Sequence, residues 1–183
     1  MISIRRARPA DATSIGAVHV AAWRSTYPGI LPDEYLAHMS VSRQAAYYDA
    51  AIRGGSGVYV AAASGLDVPV GSGPRIVGFA TAGRARAPAL AEGEIETLYV
   101  LDDWRERGLG RRLIRAAAGH LASIGCRSAF LWVLRDNPSR WFYERLGGRP
   151  VAESVVQVAG ESVPQTGFVW NPIEKLIAAS PAS

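Results

Sequence analysis

The 183-residue sequence predicts a mixed α/β fold with seven strands in the order βααβββαβαββ, and three observations carry that expectation. Apolar residues recur at a period of two in some stretches and at three to four in others, which separates strands from helices. Gly- and Pro-rich clusters fall between these stretches and mark the turns. Between Glu94 and Leu113 (EIETLYVLDDWRERGLGRRL) an apolar run, a glycine turn and an amphipathic helical pattern follow one another directly.

In order, residues 2–8 alternate apolar and polar, with Ile2 and Ile4 against Ser3 and Arg5, and read as a first strand. Pro9 opens a helix in a favourable first-turn position, with Asp11 near its positive end. Ile15, Val18, Ala22 and Trp23 form its apolar stripe, and Tyr27-Pro28-Gly29 ends it. A second helical stretch covers residues 32–53, broken near Ser40, with Leu36, Met39, Tyr47 and Ile52 as core candidates. Gly54-Gly55 turns into a strand at 58–63, and residues 64–74 read as a mobile hairpin loop before the returning strand at 76–81. Residues 84–93 form another loop. After the glycine turn, Leu113, Ile114, Ala117, Leu121 and Ile124 repeat at helical spacing until Gly125. Residues 128–134 form an apolar strand, a short helix starts around Arg135-Asp136-Asn137-Pro138 and stops at Gly147-Gly148, and strands near 151–159 and 163–170 follow. Trp132 and Trp141 are assigned to the core. The expected organisation is one domain over residues 1–172 and a loosely ordered tail over 173–183.

Hydrophobic residues make up 49% of the chain and charged residues 20%, which suits an ordinary soluble globule. No apolar run approaches the roughly 18 residues a membrane span needs. MISIRRARPAD carries charge where a signal peptide needs an apolar core. One cysteine, Cys126, leaves no internal disulfide and fits a reducing cytoplasm. His19, His38 and His120 are dispersed without metal-ligand spacing, so no metal site is expected. Net charge is +4, carried almost wholly by arginine. The arginines are scattered and no nucleic-acid motif accompanies them, so nucleic acid is not the expected partner.

The local arginine cluster has a different meaning. A strand end, a glycine-containing turn and a helix start leave unpaired N–H groups facing one point, and the helix dipole adds positive potential there. Arg105, Arg107, Arg111 and Arg112 surround that point, with Glu106 and Leu109 in the same turn. The expectation is a pyrophosphate cradle in which a Cβ at Gly108 or Gly110 would block approach of the phosphate. A Walker loop is excluded because Lys175 is the only lysine, and a dinucleotide fingerprint lacks its third glycine.

Arg105, Gly108 and Gly110 complete the pattern Arg/Gln-x-x-Gly-x-Gly/Ala, and the segment resembles the acyl-CoA-binding motif of the GCN5-related N-acetyltransferase (GNAT) superfamily. The element order resembles that family's fold over residues 2–170, which implies a mixed, mostly antiparallel central sheet flanked by helices. The resemblance implies acetyl-CoA as cosubstrate, with the pantetheine arm held by the backbone around Leu98, Tyr99 and Val100, where an N–H also polarises the acyl oxygen. RDNPSRWFYERLGG is similar to the family segment N-x-x-A-x-x-x-Y-x-x-x-G-F, with Gly148 in place of the phenylalanine. Asn137 would bond the pantetheine amide or cap the helix, and Tyr143 would protonate the leaving thiolate or serve as a core aromatic. Glu94, eleven residues before Arg105 as in the histone-acetylating branch, is the first candidate base. Glu96, on the same strand face, is the second, and a water chain the third. Trp23, Tyr27 and Tyr35 resemble an acceptor-lining segment. The implied reaction is direct attack by a primary amine of a small molecule or peptide. A non-catalytic acyl-CoA sensor is the alternative, and a homodimer through the C-terminal strands is the assembly considered.

Overall fold

The computed structural model describes residues 1–71 and 73–180. Seven strands build one sheet in the order β1-β2-β3-β4-β5-β7-β6. They are β1 Ile2–Arg6, β2 Gly57–Ala63, β3 Arg75–Arg84, β4 Gly93–Val100, β5 Ala129–Leu134, β6 Arg149–Val158 and β7 Glu161–Trp170. The helices are α1 Ala12–Thr26, α2 Asp33–Ala37, α3 Val41–Arg53, α4 Leu109–Ser123, α5 Arg140–Arg145 and α6 Glu174–Ala179. Every neighbouring strand pair is antiparallel except β4 and β5. The mixed, mostly antiparallel sheet is therefore as expected.

Helix α4 packs on β2, β3 and β4 from one side. Its Leu113, Ile114 and Leu121 are fully buried in the larger core. Each such side chain contributes about 1.5–3 kcal/mol by leaving water. Helices α1 and α3 cover the opposite face through Ile15, Val18 and Tyr48, against Val58, Val60 and Phe79. The break between α2 and α3 falls at Ser40, whose hydroxyl accepts the Arg43 N–H at 3.2 Å and caps α3.

Three expectations need correction. Tyr47 is 57% exposed and its neighbour Tyr48 is buried, because one step along a helix rotates a side chain by about 100°. Trp141 is 60% exposed, since the inner face of the short α5 is taken by Tyr143. Beyond residue 172 the chain is held rather than loose: Ile173 and Leu176 are buried in the main core, and Arg115 donates to the carbonyls of Ile177 and Ser180 at 3.2 and 3.1 Å. Residues 181–183, and residue 72 of the expected mobile loop, lie outside the described residues.

Two irregularities in β4 position the site. Its parallel pairing with β5 consists of Gly93 with Ala129 and Glu94 with Phe130. On its other edge Thr81 pairs with Thr97 but Ala82 pairs with Ile95, so Glu96 is an extra, bulged residue. A bulge bends a strand and increases its twist, which carries the end of β4 away from β5.

Candidate active site

The divergence of β4 from β5 opens a cavity of about 970 Å³. Leu98 and Val100 line it beside Leu131 and Val133 of β5. The Leu101 N–H donates to the Val77 carbonyl at 2.9 Å, which turns alternate residues of β4 toward β3. Tyr99 shares that parity, so its backbone belongs to the sheet, whereas Leu98 and Val100 turn theirs to the open edge. Tyr99 was expected among the pantetheine contacts. What it offers the cavity is instead its ring, packed against His19 at 5.2 Å and Phe79 at 5.6 Å.

At one end of the cleft lies the glycine turn. Glu106 and Gly108 both have positive φ, at 62° and 73°. Arg112 is the first of this region to donate into the helix, to the Gly108 carbonyl at 3.2 Å. The amides of residues 107–111 meet no acceptor among the described residues, and Gly108, Leu109, Gly110 and Arg111 line the cavity. Alternating left- and right-handed residues make such amides converge into an anion nest.

Within the protein itself the two glycines meet different constraints. A Cβ on Gly108 would meet no protein atom within 4 Å, and its φ is left-handed; a Cβ on Gly110 would lie 3.3 Å from Phe142 Cζ, so that glycine lets α5 close on α4. The arginines also divide. Arg105 pairs with Asp102 at 2.9 Å and donates to the Thr26 hydroxyl at 3.2 Å, bracing the turn against α1. Arg107 lies over the Trp104 ring at 4.7 Å, and Arg112 donates to the Ile2 carbonyl at 3.0 Å, away from the cavity. Among the described residues, the guanidinium groups on this wall that meet no partner are those of Arg111 and, from α5, Arg145, which carries no sequence signal.

Midway along, Tyr143 is 7% exposed and lines the cavity with a hydroxyl that has no partner among the described residues. Burial raises its pKa, with Tyr27 adding to the effect, so the phenol holds its proton throughout the neutral range. Asn137 accepts the Ser139 N–H at 2.9 Å through Oδ1 and donates from Nδ2 to the Tyr27 hydroxyl at 3.1 Å. It ties the start of α5 to the end of α1, and both ends of its amide are engaged. Phe168 backs the Tyr143 ring at 6.3 Å, and Gly148 leaves room for Trp170, whose Cζ2 would lie 2.6 Å from a Cβ there.

At the other end the two glutamates separate. Glu94 does not line the cavity: its side chain is 3% exposed and both carboxylate oxygens are bonded to Arg86. Arg86 reaches them through Nη2 at 2.9 Å, Nε at 3.2 Å and its backbone N–H at 3.3 Å. Glu94 as first-choice base is corrected on that ground. Glu96, displaced by the bulge, stands on the cavity wall. Crowding by protein raises its pKa, Arg86 lowers it in part and Glu94 raises it further. Trp23 and Tyr27 also line the cavity, their ring centroids 4.9 Å apart, while Tyr35 sits 37% exposed on α2 outside the cavity. Cys126 is buried in the main core, where desolvation raises its thiol pKa, and it does not reach the cavity.

A sheet split beside a phosphate-type nest defines an acyl-CoA-dependent transferase fold, and comparison with known proteins gives the family. Residues 20–148 match the acetyltransferase (GNAT) family, and the chain belongs to it. It is 32% identical over 177 residues to an uncharacterized N-acetyltransferase of Bacillus subtilis, YuaI, covering 96% of each chain. It is also 30% identical to probable N-acetyltransferase Rv2775 of Mycobacterium tuberculosis, covering 91% of this chain and 92% of the other. The solved structure of yncA from Salmonella typhimurium with its cofactor acetyl-CoA superposes with a TM-score of 0.67 at 22% identity, covering 93% and 94%. The protein is accordingly an acyltransferase of the N-acetyltransferase type. No helix among the described residues is long and apolar enough to cross a membrane.

Proposed function

We propose that the enzyme moves the acetyl group of acetyl-CoA to the nitrogen of a cationic primary amine, on a small molecule or peptide, by direct attack in a ternary complex. One observation carries this reading: a single cleft holds the amides of residues 108–111, which are unpaired among the described residues, the open edge of Leu98 and Val100, Tyr143 and Glu96. The amides and Arg111 face the pyrophosphate. The open edge of β4 takes the pantetheine as an added strand, and an N–H there polarises the thioester oxygen. Tyr143 gives its proton to the departing sulfur. Glu96 draws in the ammonium and removes the proton that masks its lone pair, while Trp23 and Tyr27 supply an aromatic wall suited to a cation.

The test is thiol release from acetyl-CoA over a panel of polyamines, aminoglycosides, amino acids and peptides. Release above the hydrolysis rate with at least one amine is the expected result. Binding of coenzyme A with no amine accelerating thiol release would remove the acetyl-transfer reading.

A further inference from the structure

His19 faces the same cleft and has none of these roles. It lies on α1, 7% exposed, with Nδ1 2.7 Å from the Tyr48 hydroxyl of α3. On β4, the Thr97 hydroxyl beside the bulge lies 2.7 Å from the Thr81 hydroxyl. The ring is otherwise packed by uncharged aromatics: Trp23 of its own helix at 5.1 Å, Tyr99 of β4 at 5.2 Å and Phe79 of β3 at 6.5 Å. Desolvation lowers its pKa to about 4, so the imidazole is neutral at physiological pH. A neutral imidazole has one donor and one acceptor nitrogen. Nδ1 is engaged; Nε2 has no partner among the described residues, is not sealed from the surroundings, and belongs to a residue on the cavity wall.

We propose that His19 is a second proton acceptor in the reaction, its Nε2 bonding the attacking nitrogen and taking the proton that nitrogen loses as the amide forms. This rests on the acetyl-transfer reading above. A primary ammonium must shed two protons to become an amide. The first leaves for Glu96 and frees the lone pair. Attack then forms the C–N bond, and the nitrogen is again positive, with two protons. As the carbonyl re-forms and the C–S bond breaks, sulfur departs with the Tyr143 proton and the nitrogen passes its second proton to Nε2. Water returns a proton to Tyr143, and His19 and Glu96 release theirs to water. The balance is one amide, one thiol and one proton to solvent.

A weak base suffices for the second transfer, because the N–H of the charged adduct is far more acidic than that of a free ammonium. The role requires Nε2 bare. Donation from Nδ1–H to the Tyr48 oxygen provides that tautomer. Tyr48 is then a positioning residue that orients the ring.

The test uses two probes: coenzyme A, and coenzyme A whose sulfur carries –CH2–CO–NH–C2H5, which places an amide N–H where the attacking nitrogen stands. Calorimetry on His19→Phe should show the second probe weakened about tenfold, the worth of one hydrogen bond, with coenzyme A unchanged. His19→Gln, which offers an amide oxygen, should recover part of the loss. Nitrogen NMR of the wild-type imidazole should show a protonated Nδ1 and a bare Nε2 whose signal moves with the second probe and not with coenzyme A. Tyr48→Phe should mix the two tautomers. Equal affinities of wild type and both His19 variants for the second probe, or a protonated Nε2 in the wild type, would overturn the proposal while leaving acetyl transfer standing. Failure of coenzyme A itself to bind would remove both.

Discussion

Between the turn at residues 107–111 and the bulge at Glu96 the cleft changes material. At the first end the ligand-facing groups are main-chain amides, fixed by two residues of positive φ and a helix start within one short segment. At the second they are side chains brought together from α1, β4 and the loop after β3, held by packing and by the Arg86–Glu94 pair. A backbone site tolerates wide change in the neighbouring side chains but little in its dihedral angles. A side-chain site can be retuned by single substitutions, which is where an enzyme family varies its acceptor.

The largest effect should follow a change at the backbone end. Gly108→Glu forces a side chain into a left-handed position and puts a negative charge in the nest. Coenzyme A affinity by calorimetry should fall by more than about 100-fold, with a loss of only about 1–2 kcal/mol in thermal stability. In the middle of the cleft, Tyr143→Phe should lower kcat by about 10–100-fold while acetyl-CoA affinity stays within about twofold. An unchanged kcat would take the phenol out of the mechanism.

The glutamate pair sharpens the contrast. Glu96→Gln should lower kcat/KM for the amine by about tenfold with little change in melting temperature. The carboxylate is the working form and its pKa is raised, so the wild-type rate should fall off on the acid side at a pH above that of an ordinary glutamate. That acid limb should be missing in Glu96→Gln. Glu94→Gln should do the reverse: it leaves the buried side of an ion pair weakened, costs about 1–2 kcal/mol and lowers the melting temperature, with the acid limb kept. The smallest effect is expected at Glu106, whose φ of 62° is strained for a side chain. Glu106→Gly should raise stability by at most about 1 kcal/mol in a thermal scan.

What could be seen in the sequence follows the same division. Arg105, Gly108 and Gly110 lie within six residues, and their meaning depends on the strand before and the helix after, both visible as local periodicity. Leu98 and Val100 follow from counting back along the same strand. The bulge that separates Glu94 from Glu96 is a property of the pairing of β4 with β3, and no local pattern announces it. Arg86 sits in a loop eight residues before its partner, with nothing to mark it as the group that occupies Glu94. Tyr47 and Tyr48 are adjacent, and only the docking of α3 decides which faces Phe79. His19 becomes interesting once Tyr48, twenty-nine residues away, is found at its Nδ1. The six-residue α6 is too short to announce itself, since its burial depends on α4.

The most direct test of the account is a crystal structure with coenzyme A bound. The account predicts pyrophosphate oxygens within hydrogen-bond distance of the 107–111 amides, pantetheine amides paired with Leu98 and Val100, and the sulfur beside the Tyr143 hydroxyl. Coenzyme A bound elsewhere, or lying in the cleft with those amides unengaged, would contradict it.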